Sequence, residues 1–229
     1  MAKNWHAKPS GGYSLDTTAA KDNCKAAYDY LQPLGYTREA IVGIMANAAA
    51  ESAMNPWRWE GDQVRYGYGY GLFQFTPARE YINHSGIPNH APNLSVSSTT
   101  SGASPNDAKG QLYVVHHDTL GKWQPWNWRS YWDSSEYSGL YSMHSRILSE
   151  WGSGGQLSRS QFRRITDYHD ATFAFMACYE GPAVPNYYTR NSYAITIWNI
   201  LKDYNGSGDD LLILKRIRDI NFKRKFNVL

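Results

Sequence analysis

A glutamate closing an apolar run is the residue in this chain best suited to proton chemistry. From Thr37 to Thr76 the sequence reads TREAIVGIMANAAAESAMNPWRWEGDQVRYGYGYGLFQFT. A helix beginning after Thr37 places Ile41, Ile44, Ala48 and Glu51 on one stripe, so Glu51 ends an otherwise apolar face. A carboxyl there loses solvation and sits at the negative end of the helix dipole. Both effects favour its protonated form, which makes Glu51 the expected general acid. Such a donor usually works with a second group that stabilises developing charge or activates water. Glu60 and Asp62, on the loop that follows, are the candidates for that second role. Their alternative reading is as solvated loop charges.

The elements around Glu51 suit a cleft. Asn55-Pro56 stops the helix. Tyr66-Gly67-Tyr68-Gly69-Tyr70-Gly71 then alternates large and absent side chains before Leu72-Phe73-Gln74-Phe75, a strand pattern that predicts a small β-hairpin. Glycine at every second position, Gly71 included, leaves one strand face bare, and a ligand could lie close against it. Thr76-Pro77 reads as an N-cap followed by proline at the first helical position. Trp57 is a candidate sugar contact.

Elsewhere helical patterns dominate. One helix follows Asp16-Thr17-Thr18 and ends at Pro33-Leu34-Gly35. The stretch from Asn83 to Lys109, rich in Ser, Thr, Pro, Asn and Gly, predicts a surface excursion at the cleft rim. Gln111 to Leu120 is an apolar helix or strand carrying His116-His117-Asp118. Adjacent histidines diverge and no third ligand stands at metal spacing, so neither metal nor cofactor is expected. The aromatic run from Trp123 through Trp126, Trp128 and Tyr131 to Trp132 suits either sugar stacking or packing under a loop. Ser158 to Phe162 and Asp167 to Tyr179 read as helices. Glu180, directly after, either completes the cleft or acts as a capping or buried hydrogen-bonding residue. Asn191 to Tyr204 reads as a closing helix.

The chain has 229 residues, enough for one large domain at roughly 100 to 200 residues each. The predicted organisation is an arm over 1–16, a body over 17–204, a Gly/Ser linker over 205–210 and a basic amphipathic tail from Leu211 to Leu229. With 9 Trp and 18 Tyr against 7 Phe, the aromatic content favours rings carrying a polar handle, which suit sugar faces. The net charge of +3 is concentrated near the C-terminus, which argues against nucleic acid as a partner. No apolar run approaches the ~18 residues of a membrane span. The N-terminal stretch also lacks the apolar segment of a secretory signal. Cys24 and Cys178 could bridge or stay as buried thiols.

Four ordered motifs carry a resemblance. Asn47-Ala-Ala-Ala-Glu51-Ser52-Ala-Met-Asn55-Pro56, Gly69-Tyr-Gly71-Leu-Phe-Gln74-Phe-Thr-Pro77, Gln111-Leu112, and Phe175-Met-Ala-Cys-Tyr179-Glu180-Gly181-Pro182 with Arg190 and Ala194 resemble the phage tail lysozyme family. More distantly, the first two resemble motifs of goose-type lysozymes and lytic transglycosylases. Gly181 stands where the family pattern usually has Arg. The resemblance, over roughly residues 17 to 203, implies an α+β, mainly helical lysozyme-like fold with a small β-hairpin lobe. It implies a tail-associated, peptidoglycan-degrading glycosidase acting on the β-1,4 glycan backbone, carried to the wall by the virion and held by tail proteins, with the C-terminal tail as the candidate contact. Gln74 would then face the glycan, with Phe73 and Phe75 on the core side and Tyr179 as a further sugar contact. A lytic transglycosylase, a non-catalytic glycan-binding module and a structural tail component are the alternatives. A zinc peptidase lacks its helical His pair, and a serine hydrolase its Gly-x-Ser-x-Gly elbow.

Overall fold

The computed structural model describes residues 5–7, 15, 17–95, 104, 106–126, 131 and 156–207. The tail from Leu211 to Leu229, Trp128, Trp132 and most of the predicted arm lie outside the described residues. Seven α-helices are described: α1 (Thr18–Leu31), α2 (Arg38–Ser52), α3 (Ala78–Ile82), α4 (Asn106–His117), α5 (Arg159–Phe162), α6 (Tyr168–Phe175) and α7 (Tyr187–Leu201). A π turn, Met176–Glu180, continues α6. No described helix is long and apolar enough to cross a membrane.

Local chemistry sets most helix ends. The hydroxyls of Thr17 and Thr37 accept from the backbone N–H three residues on, Asp167 caps α6, and Ser158 with Gln161 forms a capping box on α5. α2 ends in left-handed Ala53, whose N–H donates to the carbonyls of Ala48 and Ala49. Three starts differ from the sequence reading. α4 begins at Asn106, before the expected Gln111, and α7 at Tyr187, before Asn191. At α3 the cap is Pro77 itself, because the Thr76 hydroxyl donates to the Gln74 carbonyl.

α2 is the central element. Every residue from Ala40 to Ala49 is buried, so the expected apolar stripe is a helix covered on all sides, packed mainly on α6 and α7. Ile41, Val42, Ile44 and Met45 are fully buried, each worth about 1.5–3 kcal/mol of transfer free energy. Gly43 permits the closest crossing: a Cβ there would lie 2.6 Å from the Ala171 carbonyl carbon of α6. Cys24 and Cys178 are buried and free. Trp5 is buried too, and His6 N–H donates to Asn23 Oδ1 at 2.7 Å, which docks this part of the predicted arm on α1.

The predicted β-hairpin lobe is not seen among the described residues. Trp59 and Tyr70 form an isolated antiparallel bridge, and Gly71 to Gln74 turn where a strand was expected. Backbone pairing is confined to a few bonds, among them Tyr70 with Phe75 and Gly71 N–H with the Arg58 carbonyl, and side chains take up further N–H groups of the ribbon. Gln111 Oε1 accepts from the Leu72 N–H at 2.6 Å and Glu60 Oε2 accepts from the Gly69 N–H at 2.8 Å. The glycines make room for these groups. A Cβ on Gly71 would sit 2.4 Å from Gln111 Oε1, and one on Gly69 2.8 Å from Gln74 Oε1. Behind the ribbon, buried Asp107 accepts from the hydroxyls of Tyr81 (2.7 Å) and Tyr70 (3.0 Å), Gln111 Nε2 (2.8 Å) and the Ala91 N–H (3.1 Å). Burial pushes the Asp107 carboxyl up, and these donors oppose the push.

Gly43→Ala should destabilise the fold by about 1–3 kcal/mol, because two helix backbones must separate. Gly67→Ala, whose Cβ meets nothing within 4 Å, should stay within about 0.5 kcal/mol of the parent. Chemical denaturation of both variants checks the pair, and equal effects would contradict the close crossing.

Candidate active site

A cleft of about 670 Å³ opens where the end of α2, the glycine ribbon and the π turn meet, within the usual size range of ligand sites. Of the residues singled out in the sequence, Glu51, Glu60, Gln74, Tyr179 and Glu180 line it, together with Phe73, Phe75 and Lys122. Asp62, Trp57 and Gly71 do not. Asp62 is exposed on a short 3-10 turn, in the left-handed region at φ 54°. Trp57 is buried, its indole N–H donating to the Ser104 carbonyl at 3.2 Å. Gly71 is buried beneath Gln111, so the bare face expected to take a ligand is filled by the protein's own glutamines.

Glu51 does not have the surroundings its sequence position suggested. Its carboxyl is 23% exposed and ion-paired: Arg190 Nη2 donates to Glu51 Oε1 at 2.6 Å. Arg190 is buried on α7, with Nη1 donating to Asn47 Oδ1 at 2.9 Å and Nε to the Pro185 carbonyl at 2.9 Å. Asn47, one turn before Glu51 on α2, donates its own Nδ2 to the carbonyls of Gly43 (2.8 Å) and Thr172 (3.0 Å). Ser52 ties the helix end to the ribbon, its hydroxyl 3.0 Å from the Leu72 carbonyl and 3.1 Å from that of Ala48. Arg190 entered the sequence reading only as part of a motif, and Asn47 received no role. The signal that could have found Asn47 is an amide inside the otherwise apolar run AIVGIMANAAA.

Gln74 adopts φ 43°, a conformation uncommon outside glycine and found preferentially at functional sites. Its Nε2 donates to the carbonyls of Gly71 (2.9 Å) and Arg58 (3.2 Å), which holds the side chain at the cleft wall. Phe73 and Phe75 are buried beside it as expected, Phe73 against Phe175 and Tyr179. Across the cleft, the π turn carries Tyr179 and Glu180 and closes at left-handed Gly181, whose N–H donates to the Met176 carbonyl at 2.9 Å. Tyr179 stacks on Phe175, and its hydroxyl is buried without a partner among the described residues. Glu180 Oε1 is in the same state, although the residue as a whole is only half-buried. Burial first, then the negative charge of Glu51, push the Glu180 carboxyl well above its ordinary 4.5, against Arg190 and Lys122.

These features define a class: a mainly helical protein whose central helix delivers an arginine-clamped glutamate to a carboxyl-lined cleft. The model of the phage tail lysozyme family matches residues 22–201, and the chain belongs to that family. It is also 40% identical over 62 residues to Morphogenesis protein 1 of Bacillus phage B103. That stretch covers 27% of this chain and 17% of the relative, so the chain spans about a sixth of that relative's length.

Arg190→Met should cost on the order of 3 kcal/mol, because it strands Glu51 and leaves Asn47 Oδ1 without its donor. A fall in urea midpoint at unchanged slope would report it. For Glu180, a raised native value means that the folded state binds the proton more tightly than the unfolded chain. The stability this contributes is present in full below about pH 4.5 and is lost as pH rises through the raised value. Glu180→Gln should therefore lose less stability than the parent across that window. Parallel pH dependence of the two unfolding free energies would contradict the burial effect.

Proposed function

We propose that the protein is a tail-associated glycosidase that cleaves the β-1,4 glycan backbone of the host cell wall during infection, with Glu51 as the carboxyl on which cleavage depends. Membership of the phage tail lysozyme family supports this reading of substrate and location. The observation that carries it is that Glu51, fixed through Arg190 to α7, meets Gln74, Tyr179 and Glu180 around one cleft. The cleft offers what glycoside cleavage asks for, more than one carboxyl flanking a space wide enough for a sugar. Gln74 and the wall formed by Phe73 and Tyr179 are assigned to holding the glycan. Glu60, with Oε2 already accepting from Gly69, is assigned to shaping the cleft wall; Asp62, off the cleft, has no part in the chemistry. Partners in the tail would bind through surfaces outside this cleft, the basic segment from Leu211 to Leu229 being the candidate.

Glu51→Gln keeps an oxygen able to accept from Arg190, so it should still unfold in one cooperative transition, at a lowered midpoint, and below that midpoint release wall fragments at least ~100-fold more slowly, the usual scale for loss of an acid–base group. Lysis at the parental rate by the folded variant would refute the assignment. Mass spectrometry of the fragments then separates hydrolysis from transglycosylation, since a reducing terminus and an anhydro terminus differ by one water.

A further inference from the structure

Lys122 is the one cation among the described residues that line the cleft, and it stands there beside the carboxyls of Glu51, Glu60 and Glu180. Those carboxyls do not consume its charge. Glu51 is ion-paired to Arg190 at 2.6 Å, Glu60 Oε2 accepts from the Gly69 N–H at 2.8 Å, and no cleft carboxyl is ion-paired to Lys122 among the described residues. Lys122 Nζ donates to the Thr76 carbonyl at 3.0 Å and lies 3.7 Å from Glu80, which is outside the cleft and 48% exposed. An ion pair so long and so exposed is weak. An ammonium has three N–H donors, so one hydrogen bond leaves capacity for another acceptor. The side chain is 29% exposed, which leaves it open to a solute at the cleft. Its backbone is pinned on two sides: the Trp123 N–H donates to Asp118 Oδ1 at 3.0 Å, and the Gln124 N–H to the Cys178 carbonyl of the π turn at 2.6 Å. The charge is thus held in place before a ligand arrives.

We propose that Lys122 takes a carboxylate of the peptide substituent on the wall glycan, and so makes the cleft select acidic, peptide-bearing glycan over the same glycan with its carboxylates neutralised. The assignment rests on the glycosidase reading above and adds what the substituent contributes to it. A chain of N-acetylated sugars is uncharged along its acetal backbone, whereas the short peptides on a wall glycan carry carboxylates that are ionised at neutral pH. Such a substituent brought to a carboxyl-lined cleft meets like charge, and like charges set side by side oppose binding. A cation at the same cleft reverses the sign for a substituent that reaches it. Lysine suits this task better than arginine's rigid fork, because a compact point charge on a flexible stem can follow a carboxylate on a flexible peptide. Gln74 and the aromatic wall are left to hold the sugars, which are common to charged and neutral glycans.

The test uses soluble glycan–peptide fragments of the wall, untreated or with their carboxylates converted to amides by carbodiimide and ammonia, and follows glycan cleavage by mass spectrometry. The parent should show a KM about three- to tenfold higher on the amidated fragments at similar kcat, since the contact is made alike in the ground and transition states. Lys122→Met should show one KM for both substrates, and Lys122→Arg, which keeps the charge, should retain most of the parent's preference. Raising the ionic strength should shrink that preference by screening. A parent indifferent to amidation, a preference that salt leaves untouched, or a Lys122→Met variant that still discriminates would overturn the proposal and leave the glycosidase reading intact. So would a loss in Lys122→Met of equal size on both substrates, because it would confine the lysine to holding the Thr76 carbonyl. A parent that cleaves neither substrate overturns both. If Lys122→Met fails to fold, Lys122→Gln and the parent's salt dependence carry the same comparison.

Discussion

The guanidinium of Arg190 is the constraint on which the site depends. It is buried, and its donors reach α2 at Asn47 and Glu51 and the loop before α7 at Pro185. A planar fork of fixed geometry can satisfy these acceptors together, whereas a lysine ammonium on a flexible stem could not. The clamp joins the helix that carries the glutamate to the helix that closes the domain. Asn47 extends the same network into α6 through Thr172, so three helices are tied by one polar thread inside an apolar core. Such threads hold only when every member is satisfied, and here each polar atom of Asn47 has a partner.

A second polar network does for the ribbon what a sheet would otherwise do. Asp107 and Gln111 sit one turn apart on α4 and face the ribbon together. Gln111 takes the Leu72 N–H and gives its amide to Asp107 and to the Pro56 carbonyl at 2.6 Å. The tyrosines of the alternating run divide accordingly. Tyr70 is wholly buried with its hydroxyl on Asp107, while Tyr66 and Tyr68 are exposed. The ribbon is thus anchored by side chains from a helix, which frees its far edge to form the cleft wall at Gln74.

The cleft itself pairs a stiff wall with unequal charges. Phe73, Phe75, Phe175 and Tyr179 form a contiguous aromatic floor, with ring centroids between 4.7 and 6.1 Å apart. At that floor Glu51 is ion-paired to Arg190, whereas Glu180 has no ion-pair partner among the described residues. Low local polarity under the carboxyls makes the difference in their partners matter more than it would in water.

What the sequence alone determined was local. Helix starts at Thr17, Thr37, Ser158 and Asp167, the end of α2 before Asn55-Pro56, and Glu51 as the last polar residue of an apolar run were all legible, because caps and periodicity act within a few residues. The alternating Tyr-Gly run misled for the same reason. Its period of two is a strand signal, but pairing among the described residues stops at the isolated Trp59–Tyr70 bridge and the Tyr70–Phe75 turn, and the Leu72 N–H goes to Gln111, 39 residues away. Arg190 lies 139 residues from Glu51, and no local rule brings them together. Tertiary packing decided that Glu51 is ion-paired, that Glu180 has no such partner among the described residues, and that Asp62, Trp57 and Gly71 stay out of the cleft. Each of those outcomes depends on which buried polar atoms find partners once the helices have met.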